Sequence, residues 1–197
     1  TRAFQNHSYR VSPNFRSKSA CEVSAFGPRL TMSEFYHVDR LQKQDWQRLK
    51  SLRMRSVADA PSAFGTSLES MKARHDEFWS AQVESMACFV VCQFAQDIKE
   101  DLGLVRGVQD PDSIEDVWLL GMWVDPITRG HGLGMRLGQT VIDWARAIDE
   151  VCVVKLEVAH DNRPAIALYE RLGFKATAHG QGEVGEQPEN VVYQYLL

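Results

Sequence analysis

Arg129-Gly130-His131-Gly132-Leu133-Gly134 is the stretch whose residue types point most directly to chemistry. Alternating glycines just ahead of a helical pattern leave backbone N–H groups without intrahelical partners, at the positive end of a helix dipole. Such a turn holds an anion, and a pyrophosphate fits it. Gly130, Gly132 and Gly134 would let phosphates approach without Cβ clashes. Arg129 is placed to add a charge-assisted contact.

The flanking elements must position that loop. Residues 117–124 are a nearly unbroken apolar run of strand length, expected to be buried on both faces. After the loop, Leu133, Leu137, Val141, Trp144 and Ile148 recur at steps of three or four, which predicts a helix over 133–149. Arg136, Gln139, Asp143 and Arg146 take its other face. A second apolar strand follows at 151–158 and a second helix at 163–172. A dinucleotide fingerprint does not fit: Met135 stands where G-x-G-x-x-G needs its last glycine, and the loop follows several strands rather than opening a Rossmann unit.

Arg129-x-x-Gly132-x-Gly134 after a strand ending Val-Asp-Pro, with Asn162-x-x-Ala165-x-x-Leu168-Tyr169-x-x-x-Gly173-Phe174 downstream, closely resembles the GNAT family of acetyl-CoA-dependent N-acetyltransferases. The resemblance covers about residues 117–176. It is weaker in the N-terminal half, where Ala60-Pro61-x-Ala63-Phe64-Gly65 looks like the loop between the first two helices of many small-molecule members. The resemblance implies acetyl-CoA as co-substrate, its pyrophosphate gripped by residues 129–134, His131 and Leu133 within that loop included. It also implies that Asn162 bonds the pantetheine arm and that Tyr169 faces the leaving thiolate as an acid. The backbone of Met122, Trp123 and Val124 would bond the pantetheine amides by strand-edge addition. Their side chains would serve the core, with Trp123 near the acceptor side, and His131 would be a solvent-facing spacer.

Transfer to an amine also needs a base, because an ammonium has no lone pair. Glu157, five residues before Asn162, matches a glutamate used in the branch that acetylates ribosomal-protein N-termini, and it leaves its strand on the face opposite Leu156 and Val158. Asp116 competes for the role, since other branches place a carboxylate near that point; Glu115 is a weaker third. No covalent nucleophile is expected: Cys152 sits on a buried-looking strand without an evident histidine partner. The resemblance implies that the acceptor site is shaped by residues 57–70 and 180–190. The resemblance around Phe64 favours a small-molecule amine over a protein or peptide amine. A non-catalytic acyl-CoA sensor on the same fold is the remaining alternative, against which Arg129, Asn162 and Tyr169 stand together.

The whole chain has 197 residues, 44% hydrophobic and 24% charged, which fits one ordinary globular domain. A net charge of −4 gives no basic footprint for nucleic acid. No apolar run approaches the roughly eighteen residues of a membrane span. Residues 1–31 differ from the rest: Arg2, Arg10, Arg16, Lys18 and Arg29 face only Glu22. They are expected to be a disordered extension before a domain at 32–197, although their composition is shared with organellar transit peptides. Cys21, Cys88, Cys92 and Cys152 form no C-x-x-C pair, which reads as a reduced, cytoplasmic chain with no metal site. Dimerisation is common among relatives of this kind, and nothing in these residues decides it.

The remaining pattern predicts strands at 35–38, 86–94, 102–108, 174–178 and 191–197, and makes 114–124 the longest strand. Helices are predicted over 44–57, on a stripe of Trp46, Leu49, Leu52, Arg53 and Val57, and over 67–83. Residues 97–101 and 110–112 read as turns and 180–188 as a loop made acidic by Glu183, Glu186 and, just beyond it, Glu189. An antiparallel meander followed by β-α-β-α-β is an α+β architecture: a mixed, mostly antiparallel sheet with helices on both faces. The strands at 114–124 and 151–158 would lie parallel through a right-handed crossover. In the family resembled, those two strands splay apart to admit the pantetheine arm.

Overall fold

The computed structural model describes residues 35–95, 98–177 and 190–197. The expectations for 1–31 and for 180–188 lie outside the described residues. In chain order come β1 (Tyr36–Arg40), α1 (Trp46–Asp59), α2 (Leu68–Lys72), α3 (Asp76–Ser85), β2 (Ala87–Ala95), β3 (Ile98–Asp110) and β4 (Ser113–Val124). Then follow α4 (Leu133–Arg146), β5 (Val153–Ala159), α5 (Arg163–Leu172), β6 (Lys175–Ala176) and β7 (Asn190–Leu196).

The strands make one sheet in the order β1-β2-β3-β4-β5-β7-β6. Every neighbouring pair is antiparallel except β4 with β5, which is parallel. Alternation along the strands sorts side chains to two faces. Phe89, Val91 and Val105 join Leu137, Val141 and Ile142 of α4 in one core cluster. Cys88, Val90 and Leu104 join Leu49, Leu52 and Trp79 of the first helices in the other. Helices therefore cover both faces, and the α+β mixed sheet is borne out.

Four local expectations need correction. The helix predicted over 67–83 is two, α2 capped by the Ser67 side chain and α3 starting after His75, whose ψ of 163° is extended. The apolar register runs through the break, so periodicity alone cannot see it. Residues 98–101 are strand, not turn: Gln93 donates to Glu100 across the ladder at 2.9 Å, and Arg48 binds Asp101 at 2.7 Å and Asp39 at 2.8 Å. Those partners let charged residues occupy the strand. β3, with 13 residues, exceeds the 12 of β4. Finally, 117–124 is not buried throughout: Leu120, Gly121 and Met122 are half-buried, because one side of the strand lines a cleft.

Candidate active site

The cleft exists because two strands part company. β4 and β5 pair only at Asp116–Val153, Val117–Val154 and Trp118–Lys155. Beyond that point β5 continues against β7, while the corresponding edge of β4 is left unpaired among the described residues. Between them lies a cavity of about 1000 Å³ whose wall includes Met122, Glu157, Asn162 and Tyr169. A bulge deepens the divergence. Leu104 pairs with Trp123 and Arg106 with Leu120, so Gly121 and Met122 together oppose Val105. Gly121 takes φ +57°, which its lack of Cβ makes inexpensive.

The glycine loop follows a turn fixed by Asp125, whose side chain accepts from Ile127 N–H at 2.9 Å. Gly130 and Gly132 adopt φ of 85° and 78°, and Gly132 is the N-cap of α4. A Cβ at either would meet nothing within 4 Å, so the backbone angle rather than crowding by the protein selects glycine there. Among the described residues no backbone carbonyl accepts from the N–H groups of 130–135; the first helical bond runs from Arg136 to Gly132 at 3.1 Å. That row of donors matches an anion site in position and polarity. Gly134 has another reason to be glycine: its Cβ would sit 2.6 Å from Leu168 Cδ1, and one at Gly138 would sit 2.4 Å from Leu172 Cδ1. These two glycines let α4 and α5 approach each other, so packing gives Gly134 a reason to be glycine apart from any phosphate contact of its N–H.

His131 is exposed and Leu133 is buried in the core. The Arg129 guanidinium pairs with the Asp59 carboxylate at the end of α1, while its Nε donates to the Val124 carbonyl at 3.0 Å. Asp59 also accepts from Trp123 Nε1 at 2.9 Å. Trp123 is therefore a core residue on the α1 side rather than part of the cleft wall.

Asn162 is the N-cap of α5, its side-chain oxygen accepting from Ala165 N–H at 3.3 Å, and it also lines the cleft. Tyr169 projects from the same helix, 7% exposed, its ring edge-on to Phe174. Burial pushes its phenol well above the ordinary tyrosine range. Glu157 is exposed on β5 and lines the cleft. Asp116 is not in the cleft wall; it is 9% exposed and bonded by Lys155 Nζ at 2.6 Å. Glu115 is likewise outside it, exposed on the outer part of β4. Cys152 is exposed, contrary to expectation, because β5 begins only at Val153. Cys88 and Cys92 are buried, and burial pushes both thiols up to about 11.

Two residues escaped the sequence reading as site residues. Arg53 of α1 and Arg106 of β3 are 5% and 9% exposed and both line the cleft. A Cβ at Gly121 would lie 2.8 Å from Arg106 Nη2 and 3.2 Å from Arg53 Nη1. Their partners among the described residues are neutral: Ser56 Oγ and the Phe64 ring for Arg53, the Gln82 amide oxygen at 3.1 Å for Arg106. Each Nε is buried with no hydrogen-bond partner among the described residues. Burial, together with Arg106 in the case of Arg53, disfavours the charged form. An ion removed from water without a counterion costs on the order of several kcal/mol. The available signal was Arg53 itself, a cation standing on the apolar stripe of a helix.

A family model described as the Acetyltransferase (GNAT) family matches residues 50–174. A mycothiol acetyltransferase of Thermomonospora curvata is 34% identical over 66% of this chain and 39% of its own length. The N-alpha-acetyltransferase RimI of Mycobacterium tuberculosis is 40% identical over 37% of this chain and 42% of its own. This chain thus spans about two fifths of the length of those relatives. Arabidopsis thaliana NAA60, solved in complex with acetyl-CoA, shares the fold with a TM-score of 0.62 at 19% identity, covering 82% of this chain and 98% of that one. With the family model matching most of the chain, and the parting of β4 from β5, the glycine loop and every described cleft residue but Asn190 falling within the matched residues, the protein belongs to the acetyltransferase (GNAT) family.

Proposed function

We propose that this chain transfers the acetyl group of acetyl-CoA to the primary amine of a small molecule, by direct attack in a ternary complex. The observation that carries the reading is the row of N–H donors at 130–135 beside a cleft walled by Asn162, Tyr169 and Glu157. The diphosphate lies on those donors, and the pantetheine arm runs along the free edge of β4 at 122–124 with Asn162 opposite. The thioester then sits between the diverging strands. The open space beside Gly130 and Gly132 fits such a ligand.

Glu157 takes the proton that frees the amine lone pair, directly or through water. Asp116 is less suited, since Lys155 already holds its carboxylate outside the cleft wall. The amine nitrogen forms a bond to the thioester carbon, the C–S bond breaks, and the sulfur leaves with the electron pair. Tyr169 donates a hydrogen bond to that sulfur. Its raised phenol pKa, set against about 8.5 for an ordinary thiol, makes complete transfer of the phenolic proton uphill. The proton that ends on sulfur therefore originates on the amine. No acyl-cysteine is needed, and no cysteine lines the cleft among the described residues. Holding amine and thioester together supplies much of the acceleration.

Similarity to RimI keeps a peptide N-terminus as the second reading. The test is thiol release from acetyl-CoA against a mixed library of amines and peptides. Release with small amines supports the proposal, and release with peptides alone replaces it by the second reading. Tight acetyl-CoA binding without turnover of anything would make the chain a sensor.

A further inference from the structure

We propose that Arg53 and Arg106 form a carboxylate-binding subsite in the cleft, so that the acceptor amine belongs to a small amino-carboxylic acid. The inference rests on the acetyltransferase reading and narrows its acceptor.

The two guanidiniums come from elements far apart in sequence, α1 and β3, yet converge on the space that a side chain at position 121 would fill. Each is more than nine-tenths buried, each lines the cleft, and each has an Nε hydrogen without an acceptor among the described residues. Among the described residues no carboxylate is bonded to either guanidinium. Ser56, Gln82, Phe64 and Met86 fix the orientation of the side chains and neutralise neither. Two like charges buried side by side serve a fold poorly, because apolar side chains of similar volume would pack there without desolvating an ion. They serve a ligand well: the guanidinium is planar, stays charged, and offers donors in a fork matched to a carboxylate.

The coenzyme's diphosphate does not account for them. Residues 129–134, which carry the anion-binding backbone, are not part of the wall on which the arginines stand. Ala63 and Phe64 lie on that same wall beside Arg53, and Glu157 lines the cleft as well. The cleft thus offers a carboxylate for an ammonium and a guanidinium pair for an anion, which is the charge pattern of an amino acid.

The test uses the full chain with acetyl-CoA and matched pairs of acceptors: L-lysine against cadaverine, 2,4-diaminobutyrate against 1,3-diaminopropane, glycine against methylamine. Phosphoethanolamine serves as a phosphate arm. In at least one pair the carboxylate member should show kcat/KM higher by about tenfold or more, the value of one charged hydrogen-bonded contact. Arg53→Met and Arg106→Met should each remove that preference through the acceptor KM, leave the KM of acetyl-CoA unchanged, and keep or raise Tm. Equal or better use of the decarboxylated members, or preference for phosphoethanolamine, overturns the proposal and leaves acetyl transfer intact. So does acetyl-CoA binding with no amino acid acetylated. Variants that lose Tm and lose both members of a pair equally assign the arginines to the fold. Failure to bind or consume acetyl-CoA at all would instead defeat the acetyltransferase reading.

Discussion

Positive potential is built into two regions of this molecule in different ways. At residues 130–135 it comes from backbone N–H groups at the start of α4, with two glycines at positive φ and no side-chain charge required. At Arg53 and Arg106 it comes from whole charges, buried and without a bonded counterion among the described residues. The first kind is a local property of some six residues and is inexpensive, because helix N-terminal donors lack intrahelical partners in any case. The second arises only when α1 packs over β3 and carries a desolvation penalty. A fold keeps such a penalty where a ligand relieves it.

The largest expected effect is on chemistry at the end of the cleft both regions serve. Tyr169→Phe should lower kcat by about a hundredfold with little change in the KM of acetyl-CoA, as loss of a hydrogen-bond donor to charge developing in the transition state does; unchanged steady-state kcat would remove the role. Glu157→Gln should lower kcat comparably, more steeply at low pH where little free amine exists. A pH–rate profile that this substitution leaves untouched would turn attention to Asp116.

Next in size is the backbone site. Gly132→Val forces a β-branched residue to φ 78°, a strain of roughly 1–3 kcal/mol. Because a Cβ there meets nothing, the expected signature is a raised acetyl-CoA KM, about tenfold, rather than a disturbed core. Gly134→Ala should do the opposite. It presses on Leu168, so Tm should fall by an overpacking cost of about 1–3 kcal/mol while the acetyl-CoA KM moves less. If both substitutions act alike, the distinction between the two glycines fails.

The smallest effect concerns acid stability away from the cleft. Burial works against the Asp39 carboxylate, but hydrogen bonds from Lys99 and Arg48 outweigh it and hold the group below its usual range. At Asp125 burial is likewise outweighed, by Ile127 N–H and Arg55. A depressed carboxyl pKa contributes stability that is present above the unfolded value, about 3.9, and is lost as pH falls through the folded one. Tm should therefore be level above about pH 5 and decline below about pH 4. Asp39→Asn should make that decline shallower in a thermal-melt series.

The same contrast explains what was legible in the sequence. The glycine loop, the helix after it and the Asn162–Tyr169 spacing are short-range patterns, and α5 lies at 163–172 as read. The mixed sheet followed from strand order and turn length. Features decided by distant partners were not legible. Asp101 sits in a strand because Arg48 reaches it, and Gly134 is glycine because Leu168 crosses it; Cys152 is exposed ahead of β5, which starts two residues later than read. Arg53 and Arg106 belong to this second group. Neither carries a motif, and only the packed structure brings them to Gly121.

The central claim is that backbone donors at 130–135 hold the diphosphate of acetyl-CoA while its thioester lies between β4 and β5. Calorimetric titration of the full chain with acetyl-CoA and with S-acetylpantetheine, which lacks the diphosphate, tests it most directly. Loss of two charge-assisted contacts should weaken binding about a hundredfold or more. Equal affinity for the two ligands would contradict the account.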